Sequence, residues 1–415
     1  MSLSLATLLA AQVSALTAGG ICDRPVGPAA TGSELQSLAT SYSQFSVDLY
    51  ERIRGEEGNL FFSPYSVATA LAMTQAGARG GTAREIDATL ALSLTGARLH
   101  AANGAMARKL SCREDVSYRL VSANALWGQQ GYRFDDSFLR LLDQSYGAGL
   151  QAVDFKGEAA AARRTINAWV EEQTNDKIEN LIPEGALSSW TRLVLTNAVY
   201  FKGSWLFPFP AASTEDAAFW LSSEQAIQVP MMSRTRSFPY VETPEVRAVA
   251  LPIRARDGSG ESDQSFVVLM PKQGETLERL EDSLTGGTFE ELLEGMEERQ
   301  VKLSIPKFRF EAALGLKDPL EGLGMASAFD PASADFGGIS ATRDEPLFLA
   351  DVLHKGFINV DEAGVEAAAA TGVVMTTHSA PLDPIEFRAD RPFLFAIVDR
   401  ELDVILFMGR LVDPR

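Results

Sequence analysis

The sequence is poor in the residues that build most reactive centres. It has 2 cysteines and 3 histidines in 415 residues. Two thiols, Cys22 and Cys112, cannot make a disulfide framework or a metal site, and their spacing leaves open whether they pair with each other. His100, His354 and His378 are too few for a His-rich metal centre. The patterns G-x-S-x-G, H-E-x-x-H, G-x-G-x-x-G and the Walker loop are all missing, and with them the commonest routes to hydrolysis and nucleotide binding. No apolar run approaches the ~18 residues of a membrane-spanning helix. Positive charge is also scarce: 37 Lys and Arg stand against 55 Asp and Glu, a formal charge of −18. Such a chain repels nucleic acid and anionic membrane on average. Its one basic grouping, Arg98, His100, Arg108, Lys109 and Arg113, reads as the solvated face of a helix.

Apolar residues are plentiful, at 46% of the chain, enough for a sizeable core. Residues 1–20 are uncharged and moderately apolar, like the core of a secretory signal without its positive start, or else a disordered tail. Residues 21–33 are rich in Gly, Pro, Ala and Thr, so residues 1–33 read as a flexible N-terminal segment. No linker or repeat divides residues 34–415, which form one domain.

A helix is expected from Ser33, its cap, to Gly55, its stop, with Leu35, Leu38, Tyr42, Phe45, Leu49 and Ile53 on one stripe. "NLFFSPYSVATALAM" reads as a short strand, a Ser63-Pro64 helix start, and a helix buried on all sides. Residues 118–130 and 191–205 read as buried strands, and 159–182 as a long surface helix ending before Pro183. Residues 264–271 read as a short strand. In "VKLSIPKFRFEA" Val301, Leu303, Ile305, Phe308 and Phe310 alternate with polar residues. The tail is an apolar hairpin turning at Arg400–Asp403. Helices and strands mix without a βαβ rhythm, which indicates α+β.

The stretch "GVEAAAATGVVMTTHS" (364–379) fits neither a helix nor a solvated linker. As a strand it offers small or neutral side chains on both faces, apart from Glu366. Such a segment can live as an exposed loop or slide between two strands and be covered on both sides. A large or charged residue there would be buried unpaired. Gly364 reads as the flexible pivot.

"NVDEAGVEAAAATGVVM" resembles the hinge of the serpin reactive-centre loop. "NLFFSPYSVATALAM", "LTNAVYFKGSW", "LSIPKFRFE" and "VILFMGRLVDP" resemble four further segments of that family, in family order. The resemblance spans residues 34–415 and implies a fold of three β-sheets and eight or nine helices with an exposed reactive-centre loop at about 362–387. It further implies a metastable suicide inhibitor of serine (or cysteine) proteases, not an enzyme, which traps the acyl-enzyme when the cleaved loop inserts into the main sheet. The alternative is a non-inhibitory serpin acting as chaperone, carrier or storage protein; a hydrolase lacks a Ser/His/Asp arrangement.

By the same resemblance the hinge is Glu362, Gly364, Val365, Glu366, Ala367, Ala368, Ala369, Ala370 and Thr371. The reactive loop continues through Val373, Val374, Met375, Thr376 and Thr377. The scissile bond is His378-Ser379, or Thr377-His378 in a loop one residue shorter. Ser63, Ser66, Asn197 and His354 match the family's polar cluster where the sheet opens, and Trp205 an aromatic where the loop enters. With no Arg or Lys between Gly364 and Arg388, a subtilisin-like or chymotrypsin-like protease is expected before a trypsin-like one. No cofactor, metal, nucleic acid or membrane insertion is implied, and whether a polyanion modulates the rate is open. The expected protein is a secreted, extracellular monomer with polymers as a misfolding route; a cytoplasmic location is the alternative.

Overall fold

The computed structural model describes residues 21–23, 27, 29–112, 119–255, 260–340, 347–366 and 383–415. Among them are nine α-helices and fifteen strands in two hydrogen-bonded sheets. The architecture is α+β.

The first helix, α1 (Gly32–Ile53), is capped two residues earlier than expected. Thr31, not Ser33, is the N-cap, and with Glu34 it forms a capping box that satisfies two orphan amides. Its stripe Leu38, Tyr42, Phe45, Leu49 and Ile53 is buried. After β1 (Leu60–Phe62), Ser63 caps α2 (Pro64–Gln75), and Pro64 sits at the first helical position, where its missing N–H costs nothing. Every residue of α2 is buried, which accounts for its lack of an amphipathic pattern. Helices α3 (Gly80–Thr89) and α4 (Gly96–Ser111) follow, then β2 (Arg119–Gln129), α5 (Asp136–Tyr146) and β3 (Leu150–Val153).

Helix α6 (Phe155–Gln173) ends well before Pro183. The sequence reading carried it too far, because Ile178, Leu181 and Ile182 continue an apolar spacing. They are buried from a turn instead, where Asn175, Asp176 and Asn180 take left-handed backbone. A connection then leads to β4 (Leu193–Ser204), buried on both faces. One face meets the main core; the other, with Val194, Ala198 and Tyr200, joins Phe155, Ile166 and Val170 of α6 in a second core. The strands β5 (Thr214–Trp220), β6 (Ala226–Glu242), β7 (Val246–Arg254) and β8 (Glu261–Pro271) come next. Two short helices, α7 (Leu277–Ser283) and α8 (Gly286–Glu294), precede β9 (Glu297–Pro306) and β10 (Phe308–Gly315).

The alternating run at 301–312 is thus two strands, broken at Lys307. β9 joins the first sheet and β10 the second. Helix α9 (Lys317–Gly322), β11 (Leu349–Val360), β12 (Gly364–Val365), β13 (Ile385–Arg388), β14 (Phe393–Asp399) and β15 (Val404–Leu411) complete the chain.

The first sheet runs β1-β15-β14-β8-β7-β6-β9-β13, with β5 also on β6. β6 is 17 residues long and serves two parts of it, so layers expected as separate sheets are joined through one strand. The second sheet runs β10-β11-β12-β4-β2-β3, and β11 also pairs directly with β4.

The N-terminal turn Ile21–Asp23 is not free. A disulfide joins Cys22 to Cys112, just past α4, and Ile21 is buried. Ile21 lies over Gly147, the left-handed cap of α5 at φ +60°, where an added Cβ would meet the Ile21 backbone at 2.7 Å. The basic grouping on α4 is only partly solvated: Arg98 pairs with Glu34 and Lys109 with Glu401, but His100 is buried against Tyr146. No described helix is long and apolar enough to cross a membrane.

Candidate functional site

β4 and β11 lie side by side in parallel, in one register from Leu195 against Val352 to Tyr200 against Phe357, with a bulge in β11 before the Leu193–Leu349 pair. Both are central strands, yet β12 enters between them at one end. Gly364 pairs with Ser204, and Val365 pairs with both Gly203 and Val360, antiparallel to each. The sheet therefore begins to part there and closes below.

At the middle of this seam Asn197 stands level with His354. Beneath them is the start of α2. The Ser63 N–H donates to His354 Nε2 at 3.1 Å. An amide can only donate, so Nε2 is the acceptor and Nδ1 carries the proton, which goes to Asn197 Oδ1. The Asn197 amide then donates to Ser66 Oγ at 2.8 Å and to Asn124 Oδ1 at 2.6 Å. Ser63 Oγ accepts from the Ser66 N–H and donates to the Leu406 carbonyl. Ser63, Ser66, Asn197 and His354, chosen from the sequence, thus form one connected network.

Asn124 belongs to it and was missed. β2 also carries the amide of Gln129, so an amide in this strand was no signal by itself; strand register sets Asn124 directly opposite Asn197. Burial holds the His354 imidazole neutral, with its pKa lowered to about 3. It therefore works as a fixed hydrogen-bond bridge, not as a proton carrier at neutral pH.

At the open end of the seam, Trp205 is buried, and its indole donates to the Asp361 carbonyl at 2.9 Å. The backbone N–H groups of Trp205 and Phe209 donate to the carbonyls of Ala363 and Glu362. Glu362 accepts from Thr214 and from Lys307 at 2.8 Å. Burial raises its pKa, but these donors outweigh that and leave it lowered.

Gly364 was read as the pivot. It is a strand residue, and the left-handed turn falls at Glu366, φ +49°. A glycine was the natural expectation because it adopts that geometry without strain; here a glutamate adopts it. Ala367, Ala368, Ala369, Ala370, Thr371, Val373, Val374, Met375, Thr376, Thr377, His378 and Ser379 lie outside the described residues. No group of three or more His, Cys, Asp or Glu among the described residues could hold a metal ion.

Residues 40–414 match the family described as Serpin (serine protease inhibitor). The chain belongs to the serpin family. An uncharacterized serpin-like protein of Thermococcus kodakarensis is 42% identical over 381 residues, 91% of this chain and 86% of that one. Leukocyte elastase inhibitor of Xenopus tropicalis is 37% identical, covering 92% of this serpin and 100% of its own length. Antithrombin-III of Mus musculus is 33% identical over 93% of this chain and 84% of its own. Among solved structures, a highly specific serpin of the insect Tenebrio molitor superposes with a TM-score of 0.82 at 32% identity, covering 92% and 99% of the two chains. The thermophilic serpin tengpin, in its native state, superposes with a TM-score of 0.83 at 26% identity, covering 95% and 99%. This chain has the serpin fold, and inhibitory members stand among its relatives. Serpins are generally protease inhibitors and not enzymes.

Proposed function

We propose that this serpin is a suicide inhibitor of serine proteases, with cysteine proteases as a further target class, and that its loop becomes a new strand between β4 and β11 after cleavage. The observation that carries this reading is β12. It already pairs with both flanking strands, and both pairings agree on one register. Continued one residue per rung, that register would set Thr371 level with Asn197 and His354, and Met375 level with Leu193 at the start of β4. Residues 365–375 thus match β4 from Gly203 down to Leu193.

In this register Ala367, Ala369 and Thr371 would face the α2 side and the even-numbered residues would face α6. Small side chains on both faces suit a slot already lined by two cores. The Thr371 hydroxyl would take over partners that Asn197 and His354 now give each other. His378 would come level with Trp190, below the sheet, and the 14 residues from Val365 to His378 would span roughly 46 Å. A protease esterified at His378 would be carried to the opposite pole.

The exposed-loop state is held by a kinetic barrier, since insertion adds ladder bonds and burial. The reactive bond is His378-Ser379, and the absence of Arg and Lys around it favours subtilisin-like or chymotrypsin-like targets. The protein acts as a monomer, and strand insertion between copies is its route to polymers. It works outside the cell: the partly exposed Cys22–Cys112 bridge supports an oxidising compartment.

Mixing the protein with subtilisin or chymotrypsin tests the reading. The expected result is an SDS-stable covalent adduct and a released C-terminal peptide beginning at Ser379. Turnover of the chain to cleaved product with fully active protease and no adduct would refute inhibition. A dominant cut before Val374 would refute the assigned bond.

A further inference from the structure

Glu366 is the last described residue of the hinge, and it touches the sheet. Its N–H donates to the Asn359 carbonyl at 2.7 Å, the rung that follows Val365 against Val360. β12 ends at Val365, and Glu366 itself takes a left-handed φ of +49°. A glutamate adopts that conformation only when its surroundings impose it.

The Glu366 side chain meets Lys177. Its Nζ lies 2.9 Å from Glu366 Oε1, and the glutamate side chain is only 12% exposed. The other oxygen, Oε2, is buried without a hydrogen-bond partner. One cation therefore neutralises a largely buried carboxylate. Lys177 is itself held over the Phe357 ring of β11. It belongs to the turn after α6, which is tacked across the seam: Asn175 Nδ2 donates to Tyr200 Oη on β4 at 2.9 Å, and Lys355 Nζ of β11 donates to the Glu179 carbonyl at 2.8 Å.

We infer that Lys177 and Glu366 form a latch that stops β12 from lengthening, so that the rate at which the loop enters the sheet is set in part by release of this ion pair. If Glu366 became extended, the strand would grow by one rung and the residue would come level with Lys202 of β4. Insertion thus exchanges one lysine for another, and the latch acts on the barrier more than on the end state. Both are positioning residues. The inference rests on the insertion reading above, but it concerns only what holds the native hinge.

The asymmetry of the pair makes it testable. Removing Lys177 strands a buried carboxylate; removing the charge on Glu366 strands only a half-exposed ammonium. The experiment incubates the full-length, uncleaved chain just below its melting temperature and follows conversion to a urea-resistant, loop-inserted form on transverse urea gels, with intact mass confirming no cleavage. Lys177→Met should convert about tenfold faster than the natural protein, and Lys177→Arg within about twofold of it. Adding Glu366→Gln to Lys177→Met should bring the rate back to within about threefold of the natural value.

Lys177→Met converting at the natural rate would overturn the latch. So would a double variant as fast as Lys177→Met. A natural protein that neither converts on heating nor forms an adduct with subtilisin would instead refute the insertion reading itself.

Discussion

Replacing Asn197 with alanine isolates the contribution of the seam network. Asn197 accepts from His354 Nδ1 and donates to Ser66 Oγ and Asn124 Oδ1. Ser66 and Asn124 keep each other, since Ser66 Oγ also donates to Asn124 Oδ1 at 3.1 Å. His354 has no such reserve. It is 1% exposed. Moving its proton to Nε2 would set two donors, that N–H and the Ser63 N–H, face to face. The variant therefore leaves one buried imidazole N–H unpaired, at about 1–3 kcal/mol, and loses about 1 kcal/mol more from the other two bonds. The total, about 2–4 kcal/mol, falls on the two strands that must separate for the loop to enter. Asn197→Ala should lower the melting temperature by several degrees and should yield ladders of polymer on native gels at a temperature where the natural protein stays monomeric. Asn124→Ala, which orphans no buried group on His354, should do markedly less. An Asn197→Ala protein that melts within about one degree of the natural one and forms no polymers would refute the claim that this network holds the seam.

Three other substitutions probe separate parts of the argument. Continued from β12, Ala369 would come level with Val199 and Gly356, beside the Phe61 ring that already lies 2.8 Å from a Cβ placed on Gly356; Ala369→Arg would bury an unpaired charge there. It should be cut at the same bond at a similar rate but release active subtilisin, and an unchanged stoichiometry of adduct would contradict the insertion register. Burial raises the Asp399 pKa to about 6, with its carboxylate on the Leu402 N–H and the Gln264 amide. A raised acid pKa means that the folded state is penalised from about pH 4 upward and fully so above pH 6, so Asp399→Asn should stabilise by about 1–2 kcal/mol at pH 8 and by nothing at pH 4. Urea midpoints at the two pH values check this, and a loss at pH 8 would count against it. Finally, the Cys22–Cys112 bridge spans 90 residues, and Cys22→Ser with Cys112→Ser should reduce stability by up to about 4 kcal/mol, measured against the oxidised protein in denaturant melts.

Much of this serpin was decided locally and is legible in the chain. The Ser63-Pro64 start of α2, the buried strands β2 and β4 and the terminal hairpin follow from caps, proline and runs of apolar residues. The identities of Ser63, Ser66, Asn197 and His354 were recoverable because their flanking segments resembled a known family. What the sequence could not decide were conformations imposed from a distance. The apolar spacing at Ile178–Ile182 suits a helix or a packed turn equally, and contact with the sheet chose the turn. Cys22 and Cys112 lie far apart in the chain and meet only because α4 and α5 form the shelf on which Ile21 rests. Asn124 joined the network through strand register, which no local pattern encodes. The hinge is the sharpest case: backbone preference pointed to Gly364, yet pairing with Ser204 of β4 holds that glycine extended, and the left-handed turn falls at Glu366, whose carboxylate pairs with Lys177 from the turn after α6. Local preferences of about one kcal/mol per residue choose elements; a buried charge with a single available partner outweighs them.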